Sequence, residues 1–193
     1  MTAHLILICQ ASTDAVRRSA FPADEPLDRH GLARAAALAK HMPAADRYRT
    51  SPELRTRQTA EALGLEATPL PMLRDCDYGE WTGFKFEEVL ARDPEAISKW
   101  LRDPAAAPHG GESILSMIER VADWLEAEAS LDYQSIVVTH ASIIRAAIVY
   151  ALEATAKSFW RIDIAPLTVT RLSGRDGRWN VSSAGCTISS AMS

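Results

Sequence analysis

Three cysteines in 193 residues, Cys9, Cys76 and Cys186, are too few and too scattered for a disulfide framework or a four-cysteine zinc site. Such sparse usage fits a reducing cytoplasm, which is the compartment expected. The five histidines show no His-x-x-x-His spacing, so neither a metal nor a cofactor is expected. Long apolar runs are missing too. Leu5-Ile6-Leu7-Ile8 is too short for a signal-peptide core or a membrane span, so no membrane partner is expected. Positive charge is not in excess: the formal net charge is -4, which argues against nucleic acid as a partner. No repeat, low-complexity linker or compositional break divides the chain. Its length suits one domain with a real core, read here as residues 1–185, with 186–193 a disordered tail. Nothing in the sequence decides between a monomer and a homo-oligomer.

What is present is an alternation of strands and helices. Residues 4–9 form a compact apolar run and predict a central strand. The stretch 11–28 carries Pro22 and Pro26 and reads as a long loop, a length that in compact domains is usually functional. Residues 31–41 predict a helix with Leu32, Ala35, Leu38 and Ala39 on one face. A short strand at 47–50 precedes Ser51-Pro52-Glu53, which reads as a helix start with serine as cap and proline at the first position. That helix stops at Gly64, and 66–70 predicts another strand. Two short helices, 84–92 and 94–102, follow an Asp/Gly/aromatic loop at 73–83. Ser113 caps a strongly amphipathic helix to residue 129. A short helix is expected at 156–160. The runs 167–172 and 178–182 flank a Gly/Asp turn and predict a hairpin. The expected fold is three-layer α/β/α, with a mostly parallel sheet and a C-terminal antiparallel hairpin.

The chain is organised around residues 136–146. A β-branched apolar run, Ile136-Val137-Val138, leads into an apolar helical pattern, with Ser142 as its expected cap. His140 therefore falls where a strand ends and a helix begins, the place where open α/β sheets bind ligands and where free backbone N–H groups favour anions. A histidine there can bind a phosphate or move a proton. Arg55, one turn into its helix, leans toward the same kind of corner and suits a phosphate or carboxylate. Asp75, on the 73–83 loop, is a candidate proton carrier.

These residues lie in motifs. Thr50-Ser51-Pro52-x-x-Arg55-Thr56-Arg57-Gln58-Thr59-Ala60, Leu73-x-Asp75-x-x-Tyr78-Gly79-x-Trp81-x-Gly83, Gly110-Gly111-Glu112-Ser113 and Val137-Val138-Thr139-His140-Ala141 occur in order along the chain. Together they resemble the second-arginine, acid-loop, Gly-Gly-Glu-Ser and second-histidine motifs of the histidine phosphatase superfamily, the phosphoglycerate mutase-like proteins. Asp75 stands where that family usually has glutamate. The resemblance implies the same α/β fold and a pocket for a small phosphorylated or carboxylated molecule. It implies His140 and Asp75 as the catalytic candidates, with Arg55, Gln10, Cys9, Thr13 and Glu112 binding substrate.

The family's first motif is broken. Where the resemblance calls for Arg-His-Gly-Glu-Thr after the first strand, this chain has Cys9-Gln10-Ala11-Ser12-Thr13. The family histidine attacks the phosphoryl group. An amide cannot, because its nitrogen lone pair is delocalised into the carbonyl, and Cys9 removes the phosphate-binding arginine. Arg29-His30-Gly31 imitates the missing tripeptide but follows no strand. Three readings remain open: an anion binder without phosphatase or mutase activity; an enzyme with His140 as acid or base in elimination, isomerisation or hydrolysis, with Cys9 as nucleophile in one variant; and a phosphatase rescued by His30 or His109.

Overall fold

The computed structural model describes residues 2–129 and 131–191. Among them the strands form one six-stranded sheet in the order β3-β2-β4-β1-β5-β6. In β1 (Ala3–Cys9) successive side chains alternate between two buried faces. Leu5, Leu7 and Cys9 enter one core, Ile6 and Ile8 the other. Burial on both faces is what a sheet covered by helices on each side requires. β1, β2 (Arg47–Thr50), β3 (Thr68–Pro69) and β4 (Gln134–Thr139) pair in parallel. β5 (Thr168–Arg175) and β6 (Arg178–Thr187) add an antiparallel pair beside β1. Their turn carries Asp176 and Gly177 at positive φ, the backbone that a two-residue hairpin needs.

One face of the sheet holds the larger core, packed by α6 (Ile114–Ala129) and α7 (Ala141–Ala151). The other is covered by α2 (Arg29–Leu38), α3 (Leu54–Ala62) and the short C-terminal α8 (Ile188–Ala191). A four-residue helix α1 (Asp14–Arg17) interrupts the long loop after β1, and α4 (Phe86–Arg92) and α5 (Pro94–Arg102) form a small aromatic-rich cap.

Several boundaries differ from the sequence reading. α2 starts at Arg29, because the Asp28 carboxylate accepts from Gly31 N at 2.6 Å and caps it there. Its buried face is Gly31 and Ala35, while Leu32 is 49 % exposed. A Cβ on Gly31 would stand 2.4 Å from the Ser12 carbonyl oxygen, so this helix sits against the chain on its small residues. The strand expected over 66–70 shrinks to two residues, since Pro69 has no N–H and is tolerated only at the sheet edge where β3 lies. The tail expected to be disordered from 186 instead continues β6 to Thr187 and turns into α8, whose Ile188 is buried. Residues 192 and 193 lie outside the described residues.

The register sets up the site. Cys9 pairs with Thr139, and Val138 pairs with both Ile8 and Thr50. Three parallel strands therefore end within one residue of each other, and the next residues are Gln10, His140 and Ser51.

Candidate functional site

β4 ends at Thr139 and His140 is itself the N-cap of α7, in extended backbone conformation. Ser142, read as the cap from sequence, lies inside the helix instead, which frees its hydroxyl to donate to Asp75 Oδ1. Likewise α3 begins at Leu54 with Glu53 as its N-cap, so Ser51 and Pro52 stay outside the helix and Ser51 turns toward the β4 end.

His140 is 1 % exposed and both ring nitrogens face acceptors. Nδ1 contacts Gln10 Oε1 and lies 3.4 Å from Asp75 Oδ2. Nε2 lies 2.7 Å from Ser51 Oγ and 3.1 Å from Glu53 Oε2. Arg55 is 2 % exposed; Nη2 donates to Asp75 Oδ2 at 2.7 Å and Nη1 to the Ala23 carbonyl at 2.7 Å. Burial works against charge on Asp75, but the His140 charge, Arg55, the Ser142 hydroxyl and the Cys76 N–H outweigh it and hold the carboxyl below its usual range.

Glu53 was not singled out from sequence, yet it is central. Its Oε2 accepts from Ser51 and His140, and its Oε1 accepts from the Asp75 backbone N–H at 3.1 Å. Desolvation alone would raise its carboxyl; the hydrogen bond and charge of His140 and the Ser51 hydroxyl bring it down to about 2. This carboxylate thus takes up an imidazole nitrogen, a hydroxyl and a backbone N–H at once. Arg55, expected to bind substrate, is therefore paired within the chain with Asp75, and His140, expected to be catalytic, lies against Glu53 and Asp75.

Ser51, His140 and Asp75 also have the order of a nucleophile, base and orienter. Ser51, however, is fully buried, and its hydroxyl donates to Glu53 rather than facing open space.

Above this network lies a cavity of about 220 Å³. Gln10, Asp75, His140, Ser142 and Arg145 supply its polar lining. Phe21, Tyr78, Trp100, Ile114, Phe159 and Trp160 supply apolar wall.

Three expected site residues do other work. Cys9 follows the strand alternation into the apolar core and does not line the cavity. Burial, reinforced by Asp75 and only partly opposed by Arg145, pushes its thiol up to about 12, so it is not a thiolate nucleophile. Thr13 caps α1, accepting from Val16 N, and donates to Glu25. Glu112 is held by Arg120 through two bonds of 2.8 and 2.7 Å, and Arg120 in turn holds the Met72 carbonyl. That pair fixes the acid loop from behind. Ser113 caps α6 as expected, accepting from Ser116 N at 3.0 Å. The decoy His30 is exposed on α2. His109 is buried edge-on to Trp81, its Nδ1 accepts from Gly111 N, and burial lowers its pKa. Neither histidine lines the cavity.

The described residues contain no group of three or more His, Cys, Asp or Glu able to hold a metal, and no helix long and apolar enough to cross a membrane.

A family model described as the histidine phosphatase superfamily, branch 1, matches residues 5–187. Phosphoserine phosphatase 1 of Hydrogenobacter thermophilus is 31% identical over 146 residues, covering 71% of this chain and 69% of that protein. A bifunctional protein of Mycobacterium tuberculosis is 32% identical over 115 residues, 57% of this chain. The match covers 31% of that protein, so the chain spans about a third of the mycobacterial relatives it matches. Among solved structures, a mycobacterial glucosyl-3-phosphoglycerate phosphatase superposes with a TM-score of 0.84 at 22% identity, covering 97% of this chain and 100% of that one. The same phosphatase has also been solved with inorganic phosphate and with VO3.

Proposed function

The chain belongs to the histidine phosphatase superfamily, and on that premise we propose that it binds a small phosphorylated or carboxylated molecule without the family's phosphohistidine chemistry. One observation carries this reading: Gln10 occupies the end of β1 where the nucleophile is needed, and its amide oxygen is spent on His140 Nδ1. An amide there can orient the imidazole but cannot accept a phosphoryl group. The remaining neighbours offer no substitute. Cys9 is a neutral thiol in the core, Ser51 is sealed under Glu53, and His30 and His109 lie away from the cavity. His140 itself is held at both nitrogens, which suits a fixed contact better than a proton shuttle. The phosphatases among its relatives, and the phosphate complex of one of them, support an anionic ligand.

The test is turnover of p-nitrophenyl phosphate and phosphoserine by the wild-type chain, beside calorimetric titration with small organic phosphates and carboxylates. Hydrolysis at background together with measurable anion binding is expected. Robust hydrolysis lost in His30→Ala or His109→Ala would instead establish the rescued phosphatase.

A further inference from the structure

The cavity has a second polar feature, separate from the paired cluster at its floor. Arg145, on α7, lines it, and its Nε is buried without a hydrogen-bond partner among the described residues. Its ionic neighbour is Asp163, 3.9 Å away and fully exposed, and its guanidinium lies 5.7 Å from the Phe159 ring centre. Trp100 and Trp160 line the same cavity, stacked edge to face at 4.5 Å, and both indole N–H groups are likewise buried without partners. Guanidinium and indole N–H groups only donate. These three atoms have no surface open to the cavity, so what the cavity offers an acceptor is the rest of the Arg145 guanidinium, whose side chain is 25% exposed.

The wall around these donors is apolar and aromatic, and the volume is below the roughly 300–1,000 Å³ typical of drug-sized ligands. At the floor, Asp75 already neutralises Arg55, and His140 Nε2 is held by Glu53. The cation left to meet a ligand is Arg145. We infer that the cavity takes a small anion carried on an apolar or aromatic body, about one ring in size, and that Arg145 rather than Arg55 holds its charged group. The rings of Trp100 and Trp160 supply aromatic wall around it. This rests on the anion-pocket reading given above and names the ligand class for that pocket.

The test is titration of the full chain with phenyl phosphate, benzoate, inorganic phosphate and benzyl alcohol, followed by calorimetry. At least one of the two aromatic anions should bind about tenfold or more tighter than inorganic phosphate and than the neutral alcohol. Arg145→Gln should weaken that binding by about 10- to 100-fold, the size of a charge-assisted hydrogen bond, and Arg145→Lys should recover part of it. Should Arg145→Gln fail to fold, Trp160→Phe shortens the aromatic wall: the two aromatic anions should lose about two- to tenfold in affinity while inorganic phosphate loses none, and unchanged affinity of the aromatic anions there overturns the inference. Wild-type affinity in a folded Arg145→Gln also overturns it, as does inorganic phosphate binding as tightly as both aromatic anions; either result leaves the anion-pocket reading standing. No anion binding to the wild type overturns that reading, and this one with it.

Discussion

At the scale of single residues, the charge state of Glu53 decides what the cluster can accept. Its carboxyl lies at about 2 when folded, because His140 and Ser51 bond it against the cost of burial. In the unfolded chain it returns to roughly 4.3. A depressed carboxyl stabilises the fold above its unfolded value, and that contribution is lost as pH falls through the folded one. The window is therefore about pH 4.3 down to 2, and Asp75, also lowered, adds to the same limb. Glu53→Gln should lose less stability than the wild type between pH 6 and pH 3, read as the shift in urea midpoint. Equal acid losses would mean that Glu53 is not bonded as described. Sequence reasoning reached His140, Arg55, Asp75 and Gln10 because each lies in a motif or at a strand end. It missed Glu53, one acid among 25 Asp and Glu, whose only flag was its place two residues after Ser51. It also carried Thr13 and Glu112 into the binding set, because a motif position does not reveal whether the side chain meets ligand or buttress.

Between elements, the acid loop is joined to the start of α6 backbone to backbone. Glu80 N donates to the His109 carbonyl at 2.9 Å, and Glu112 N to the Asp77 carbonyl at 2.8 Å. The join is closer than side chains allow: a Cβ on Gly111 would stand 2.1 Å from the Asp77 carbonyl oxygen, and one on Gly79 2.1 Å from that of His109. Gly79 also has φ +47, whereas Gly111 has no positive φ and is required for space alone. Gly111→Ala must push the loop off the helix. It should destabilise by about 1–3 kcal/mol, as overpacking does, seen as a lower urea midpoint. It should also weaken anion binding, since Asp75 rides on that loop. An unaltered midpoint would show that the two segments do not touch. The Gly-Gly-Glu-Ser run was visible in sequence, but its use was not, because a glycine kept for a contact looks the same as one kept for a turn. Helix ends were misread for a related reason. Ser51 and Ser142 are good caps by type, yet both hydroxyls serve the site instead.

For the whole molecule, the ending of β1, β4 and β2 within one residue of each other is what turns three distant segments into one cluster. That convergence follows from strand order and register, which alternation and periodicity along the chain indicate only in outline. On the reading proposed above, the same geometry predicts what would supply the family chemistry. Gln10→His alone returns an imidazole to the end of β1 but leaves no arginine beside it. Cys9→Arg with Gln10→His restores both residue types, and Asp75 acts electrostatically on position 9 as a counter-charge. Even then the Glu53 carboxylate still holds His140 Nε2, the Ser51 hydroxyl and the Asp75 N–H, the donors a phosphoryl group would need. Like charges compete for one site, so the double variant should stay near background on p-nitrophenyl phosphate. Adding Glu53→Gln removes the competing charge and should raise turnover about tenfold or more above the double variant, the effect of roughly 1.4 kcal/mol of relieved repulsion. Thermal melts of each variant guard against the cost of placing a guanidinium in the core. If the folded double variant hydrolyses the ester as fast as the triple, Glu53 is no barrier to the anion.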